Sequence, residues 1–90
     1  MRVDVFLKRS RLIRQRHGAK KACDRGMVSI AGKKIKPGYQ IKVSDRITII
    51  STIRKLEIEV LDIPYGNVSK NTAQSLYKVL NDEPIGEGFF

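Results

Sequence analysis

The sequence predicts an α+β fold in which two N-terminal helices pack on a small, mainly antiparallel sheet and a further helix lies near the C-terminus. Three observations predict it. Apolar residues recur at helical spacing up to Arg25, they alternate between Met27 and Leu61, and helical spacing returns after the Pro64-Tyr65-Gly66-Asn67 break.

The elements follow in order. Val3, Phe6 and Leu7 fall at i, i+3 and i+4, which predicts a helix over 3–11 with Asp4 in its first turn, where a carboxylate favours the helix dipole. Ala19, Ala22, Cys23 and Gly26 repeat that spacing and end in a glycine suited to a helix C′ position, which predicts a second helix over 16–25. Arg14, Gln15, Arg16 and His17 fall in the bend. Val28 and Ile30 then alternate with Ser29 as a strand requires, Gly32 turns the chain, and residues 33–36 return as a basic edge strand. Pro37-Gly38 has the residues of a type II turn. Tyr39, Ile41 and Val43 alternate as another strand, Ile47 and Ile49 resume after a Ser44-Asp45 turn, and Leu56, Ile58 and Val60 form the last strand. Ser69 is placed to cap a helix carrying Ala73, Leu76, Tyr77 and Leu80 on one stripe, with Val68 before it as a hydrophobic staple. The residues after Asn81 are expected to be loose.

Charge is distributed more tellingly than its total of +9 suggests. Residues 1–46 hold 14 Lys and Arg against three acids, a balance of +11, whereas residues 47–90 hold four against six, a balance of −2. A field this polarised attracts a polyanion, and a nucleic acid is the usual one. Arg9, Arg11, Arg14 and Arg16 crowd a helix end and a bend, and Lys20 and Lys21 lie one turn further on. Guanidinium groups grip phosphates with two donors, and a helix N-terminus adds unpaired N–H groups and a positive dipole end. Such contacts fix position and carry little base information, so shape recognition of folded RNA is expected. Aromatic residues for base stacking are scarce here.

Catalytic chemistry finds few groups to work with. His17 and Cys23 are the only residues of their types, Cys23 lies on an apolar stripe, and Glu57 and Glu59 share the outer face of a strand as solvated residues commonly do. Hence no enzyme activity, cofactor or metal is expected. No apolar run approaches the roughly 20 residues needed to cross a bilayer, Met1-Arg2-Val3-Asp4 does not read as a secretory signal, and a single cysteine suits a reducing cytoplasm.

The run Arg2-Val3-Asp4-Val5-Phe6-Leu7-Lys8-Arg9-Ser10-Arg11-Leu12, with Arg16, Ala19-Lys20, Gly26-Met27-Val28-Ser29-Ile30, Gly32, Lys36-Pro37, Val43 and Asp45-Arg46-Ile47, resembles the S4 RNA-binding domain over about residues 2–50. The full length is similar to the small stand-alone S4 proteins of bacterial ribosome quality control (the RqcP type), relatives of the heat-shock S4 protein. The resemblance implies an S4-type (αL) fold over residues 1–61 with a C-terminal extension over 62–90. It also implies a helical pair that contacts ribosomal RNA, and tRNA in many members. The RNA-binding residues expected are Arg2, Lys8, Arg9, Arg11, Arg14, Arg16, His17, Lys20 and Lys21, although an ion pair with Asp4 is an alternative role for Arg2. The expected partners are rRNA of the large ribosomal subunit, peptidyl-tRNA and a nascent-chain tailing factor, met by a cytoplasmic monomer. Two other readings stay open: an RNA-targeting S4 subunit of an RNA-modifying enzyme, and a general basic nucleic-acid-binding domain. The chain departs from the family pattern at Ala31, where Asn is common, at Ser44, where Gly is common, and at His17-Gly18, which replace a Ser or Thr cap and its neighbour. The first two substitutions are expected to matter little, and the third to weaken the second helix's cap.

Overall fold

A computed structural model describes residues 1–64, 66 and 68–84. Helix α1 (Val3–Arg9) starts where the chain leaves a single antiparallel bridge between Arg2 and Gln40. Its Val3, Phe6 and Leu7 stripe is fully buried, as the spacing predicts. Helix α2 (Arg16–Asp24) packs Ala19, Ala22 and Cys23 into the same core. It ends in a Schellman motif: Gly26, at φ +73°, donates its N–H to the Cys23 carbonyl at 3.0 Å, and Met27 donates to Ala22 at 2.9 Å.

Five strands follow in the spatial order β2-β1-β3-β4-β5, each pairing antiparallel with its neighbour. They are β1 (Val28–Ile30), β2 (Lys33–Lys34), β3 (Arg46–Ile50), β4 (Arg54–Val60) and β5 (Tyr77–Pro84). Ile47 and Ile58 pair across β3 and β4 and are fully buried beneath the helices. Burial of each isoleucine contributes about 1.5–3 kcal/mol. The opposite face carries Thr48 and Glu57 in one row and Arg46 and Glu59 in the next, so Glu57 and Glu59 sit in a polar cross-strand pattern.

The predicted α+β class and its two leading helices hold, and four local expectations change. First, residues 39–43 form no strand, because their backbone serves α1. The Tyr39 carbonyl accepts the Val3 N–H at 2.8 Å, and Ile41 donates to Met1 at 3.0 Å. Second, Tyr39 closes a turn onto Lys36 at 3.0 Å, but Gly38 is absent from the positive-φ residues, so that turn is not type II. The basic edge strand is correspondingly short, at Lys33–Lys34. Third, the C-terminal helix is a single turn, α3 (Lys70–Ala73), continued by a 3-10 turn over Gln74–Leu76. Ser69 caps α3 as expected, accepting the Thr72 N–H at 3.2 Å, and Ala73 and Leu76 are buried. Fourth, Tyr77 leaves the helical path because β4 offers an open edge. Val60 pairs with Tyr77 and Ile58 with Val79, so β4 is not the last strand. A bulge opposite Glu57/Ile58 leaves Leu80 out of register, which is why an alternating strand imitated helical spacing at that position. Asp82–Pro84 belong to β5, and residues 85–90 lie outside the described residues.

Two family departures acquire a physical meaning here. Ala31 (φ +54°) and Gly32 (φ +80°) are the two central residues of the β1–β2 hairpin, a type I′ turn that favours Asn-Gly. Ser44 (φ +80°) is the third residue of a type II turn closed by the Asp45 N–H on the Lys42 carbonyl at 3.0 Å, a position that favours glycine. Both residues are held in the left-handed region, which for a non-glycine residue costs about 1 kcal/mol. Ala31→Asn and Ser44→Gly are therefore each expected to raise unfolding free energy by about 0.5–1 kcal/mol. Denaturant titration checks this, and unchanged or lower midpoints would contradict it.

Candidate RNA interface

The two helices present very different N-termini. In α1 the leading donors are all engaged: Val3 with the Tyr39 carbonyl, Asp4 with Pro37 at 3.3 Å, Val5 with the Asp4 carboxylate at 2.8 Å, and Phe6 with Arg2 at 3.0 Å. In α2 the first engaged donor is Ala19, on the Gln15 carbonyl at 3.1 Å. The N–H groups of Arg16, His17 and Gly18 have no acceptor among the described residues, and Gln15, the N-cap, makes no side-chain cap. Position 17 therefore lies inside the helix, and the expected cap position shifts to Gln15. Gly18 has its own reason: a Cβ there would stand 3.3 Å from Ile13 Cγ2, so the bend seats Ile13 against it. The start of α2 thus leaves three unpaired donors at a positive dipole end, a combination suited to an anion.

Asp4 organises the cations beside that site. Its side chain is 1% exposed, and it accepts from Arg2 Nε at 3.1 Å and Arg2 Nη2 at 3.2 Å while standing 3.7 Å from Arg16 Nε. The ion pair considered for Arg2 is thus formed, with the arginine still 42% exposed and its remaining N–H groups available. Arg16 is 57% exposed and held more loosely. Together Arg2, Arg16, His17 and Lys20 surround Asp4 in a shallow hollow of about 360 Å³.

A second, larger hollow of about 710 Å³ is lined by Lys8, Arg9, Arg11, Arg14, Gln15, Val68 and Lys70. No carboxylate lines it, and none of its cations has an ion pair among the described residues. The structure thus divides the expected site residues into two adjoining groups, and Lys21, exposed on α2, lines neither hollow. Arg11 lies beyond α1 rather than in it, at the C′ position with φ +63°. Glycine is favoured there, so the chain keeps a long cation where the backbone disfavours one. Sequence patterning missed Asp4 as the organiser, since its place in a first turn signals only a dipole contact, and missed Lys70, which lies in the acidic half of the chain.

Of the two groups considered for catalysis, His17 lies on this surface and Cys23 lies in the core. Cys23 is 4% exposed, and its thiol is pushed up to about 11, first by burial and then by the negative charges of Asp4 and Asp24. It is therefore a neutral core thiol at physiological pH. Among the described residues no cluster of His, Cys, Asp and Glu can hold a metal, and no helix is long and apolar enough to cross a membrane.

Removing the organising charge tests the arrangement. Asp4→Asn is expected to lower unfolding free energy by about 1–3 kcal/mol, the range for a hydrogen bond to a charged group. Urea titration measures it, and an unchanged midpoint would show that Asp4 does not hold this end of the molecule together.

Comparison with known proteins agrees with this architecture. The S4 domain family model matches residues 1–47. An RQC P-site tRNA stabilizing factor of Halalkalibacterium halodurans is 36% identical over 87 residues, covering 97% of this chain and 98% of its own. Its Bacillus subtilis namesake is 34% identical and is covered completely, against 97% of this chain. Heat Shock Protein 15 of Vibrio cholerae, solved as a trimer, superposes with a TM-score of 0.81 over 88% of this chain and 80% of its own, at 24% identity, which speaks for the fold. The chain belongs to the S4 domain family and, within it, to the family of RQC P-site tRNA stabilizing factors.

Proposed function

We propose that this protein is a non-catalytic RNA-binding factor that holds rRNA, together with tRNA, on the large ribosomal subunit during quality control of stalled nascent chains. The observation that carries the reading is the uncapped N-terminus of α2, whose three free donors lie among Arg14, Arg16, His17 and Lys20. Phosphate there meets backbone donors and guanidinium groups together. The name shared by the relatives, which specifies P-site tRNA, supports a tRNA-proximal role.

In this reading the S4-type unit, residues 1–61, carries the main RNA surface through Arg2, Lys8, Arg9, Arg11, Arg14, Arg16, His17, Lys20 and Lys21, and residues 62–90 form an extension. The protein acts in the cytoplasm as a monomer. Peptidyl-tRNA and a nascent-chain tailing factor are its further partners, and the chemistry of tailing belongs to the latter. Phosphate contacts dominate, so recognition follows the shape of folded RNA.

Co-sedimentation with purified large subunits tests the placement. Arg16→Ala is expected to lose about 1–3 kcal/mol of binding, with little change in melting temperature because the side chain is more than half exposed. Lys55→Ala, in β4 and lining neither hollow, should lose almost nothing. With roughly 4 to 6 phosphates neutralised, log K should fall with log salt at a slope of about −3 to −5. Equal binding by the two variants would place the RNA on another face, and binding indifferent to salt would contradict a phosphate-dominated interface. Equally tight binding of duplex DNA would favour a general nucleic-acid binder.

A further inference from the structure

We infer that Lys70, from the C-terminal extension, completes the larger basic hollow as a phosphate-binding residue, so that one RNA backbone segment is gripped by both the S4 unit and the extension. This rests on the RNA-binding reading above and adds to it a contact from outside residues 1–47, where the S4 match lies. Lys70 lines the hollow with Lys8, Arg9, Arg11 and Arg14.

The position of Lys70 is fixed by its surroundings. Ser69 Oγ accepts the Thr72 N–H at 3.2 Å and meets Thr72 Oγ1 at 2.9 Å, which sets the start of α3. Ala73 and Leu76 anchor the following turn in the core, and the Leu76 carbonyl accepts the Leu61 N–H at 2.8 Å. The backbone of residue 70 is thus held while its side chain stays exposed.

Two features of the hollow work against the stability of the unbound protein. Five cations line it with no carboxylate among them, so they repel one another. Arg11 occupies a left-handed position. A polyanion offsets the first directly and gives the Arg11 guanidinium a partner. The chemical class of that polyanion is a phosphodiester backbone: the hollow holds about 710 Å³, and its lining has no aromatic residue for a base to stack on. The chain's second half is net acidic, and of its four cations Lys70 is the one that lines the hollow.

The test measures binding to purified large ribosomal subunits across a salt series for Lys70→Gln, Lys70→Glu and Lys78→Gln, with melting curves for each. Lys78 lies in the same extension but on β5, paired with Glu59, and does not line the hollow. Lys70→Gln is expected to weaken binding about three- to tenfold and to reduce the steepness of the salt slope by about 0.7–0.9, the signature of one lost phosphate contact. Lys70→Glu should weaken binding further while melting at the same or a higher temperature, because it replaces a like charge in the hollow by an opposite one. A merely structural role would move melting and binding together. Lys78→Gln should leave affinity and slope unchanged. The inference is overturned if Lys70→Gln binds within about twofold of the parent with an unchanged slope. If Arg14→Gln and Arg16→Ala still weaken binding in that case, only the role of Lys70 falls. If those variants also bind like the parent, the RNA-binding reading falls with it.

Discussion

The Asp4 carboxylate is the point on which the basic face depends. It is almost wholly buried, yet two hydrogen bonds from Arg2, the Val5 N–H and the nearby Arg16 guanidinium surround it. Burying a charge is costly unless it is paired and hydrogen-bonded, and such a pair is weak evidence for net stabilisation. What it supplies is placement. Asp4 helps close the N-terminus of α1 and draws arginines from two elements to one spot, while α2 begins beside it with its donors unused. One helix start therefore has its donors engaged by the fold, and the other has them unpaired.

Several residues on this face are poorly suited to their local structure. Arg11 stands where glycine is favoured, α2 has no side-chain cap, and the larger hollow concentrates positive charge. Local rules broken together in one region are what a binding surface shows when its ligand supplies the missing partners. Ala31 and Ser44 break a similar rule, but on the other side of the chain's order, lining a hollow against the outer face of the sheet. Their strain belongs to the turns and has no such cationic setting. The distinction lies in the side chain: Arg11 extends a charge into a basic hollow, whereas Ala31 has nothing to extend.

Much of the first half of the fold was legible in the residues. The Val3-Phe6-Leu7 stripe, the Gly26 terminus and the Val28–Ile30 alternation each report a local requirement, and each appears in the structure. The failures are non-local. Tyr39–Val43 alternate as a strand does, but their carbonyl and N–H groups are claimed by Met1 and Val3. The stretch from Ala73 to Leu80 carries helical spacing, yet the open edge of β4 recruits Tyr77 onward and a bulge absorbs the mismatch. For the interface, the cluster of cations was readable from charge and spacing. The pairing of Arg2 and Arg16 through Asp4, and the arrival of Lys70 in the hollow, depend on contacts between distant parts of the chain and leave no periodic trace.

The central claim is that the start of α2 and the hollow beside it hold an RNA backbone, and hydrogen exchange measures this at the atoms concerned. The N–H groups of Arg16, His17 and Gly18 have no acceptor among the described residues, so they should exchange rapidly in the free protein. On adding saturating large ribosomal subunits, peptides spanning residues 8–21 should become protected, while those covering the β3–β4 hairpin tip at Ser51–Arg54 should be unchanged. Protection confined to the sheet, with residues 8–21 exchanging as before, would contradict the account.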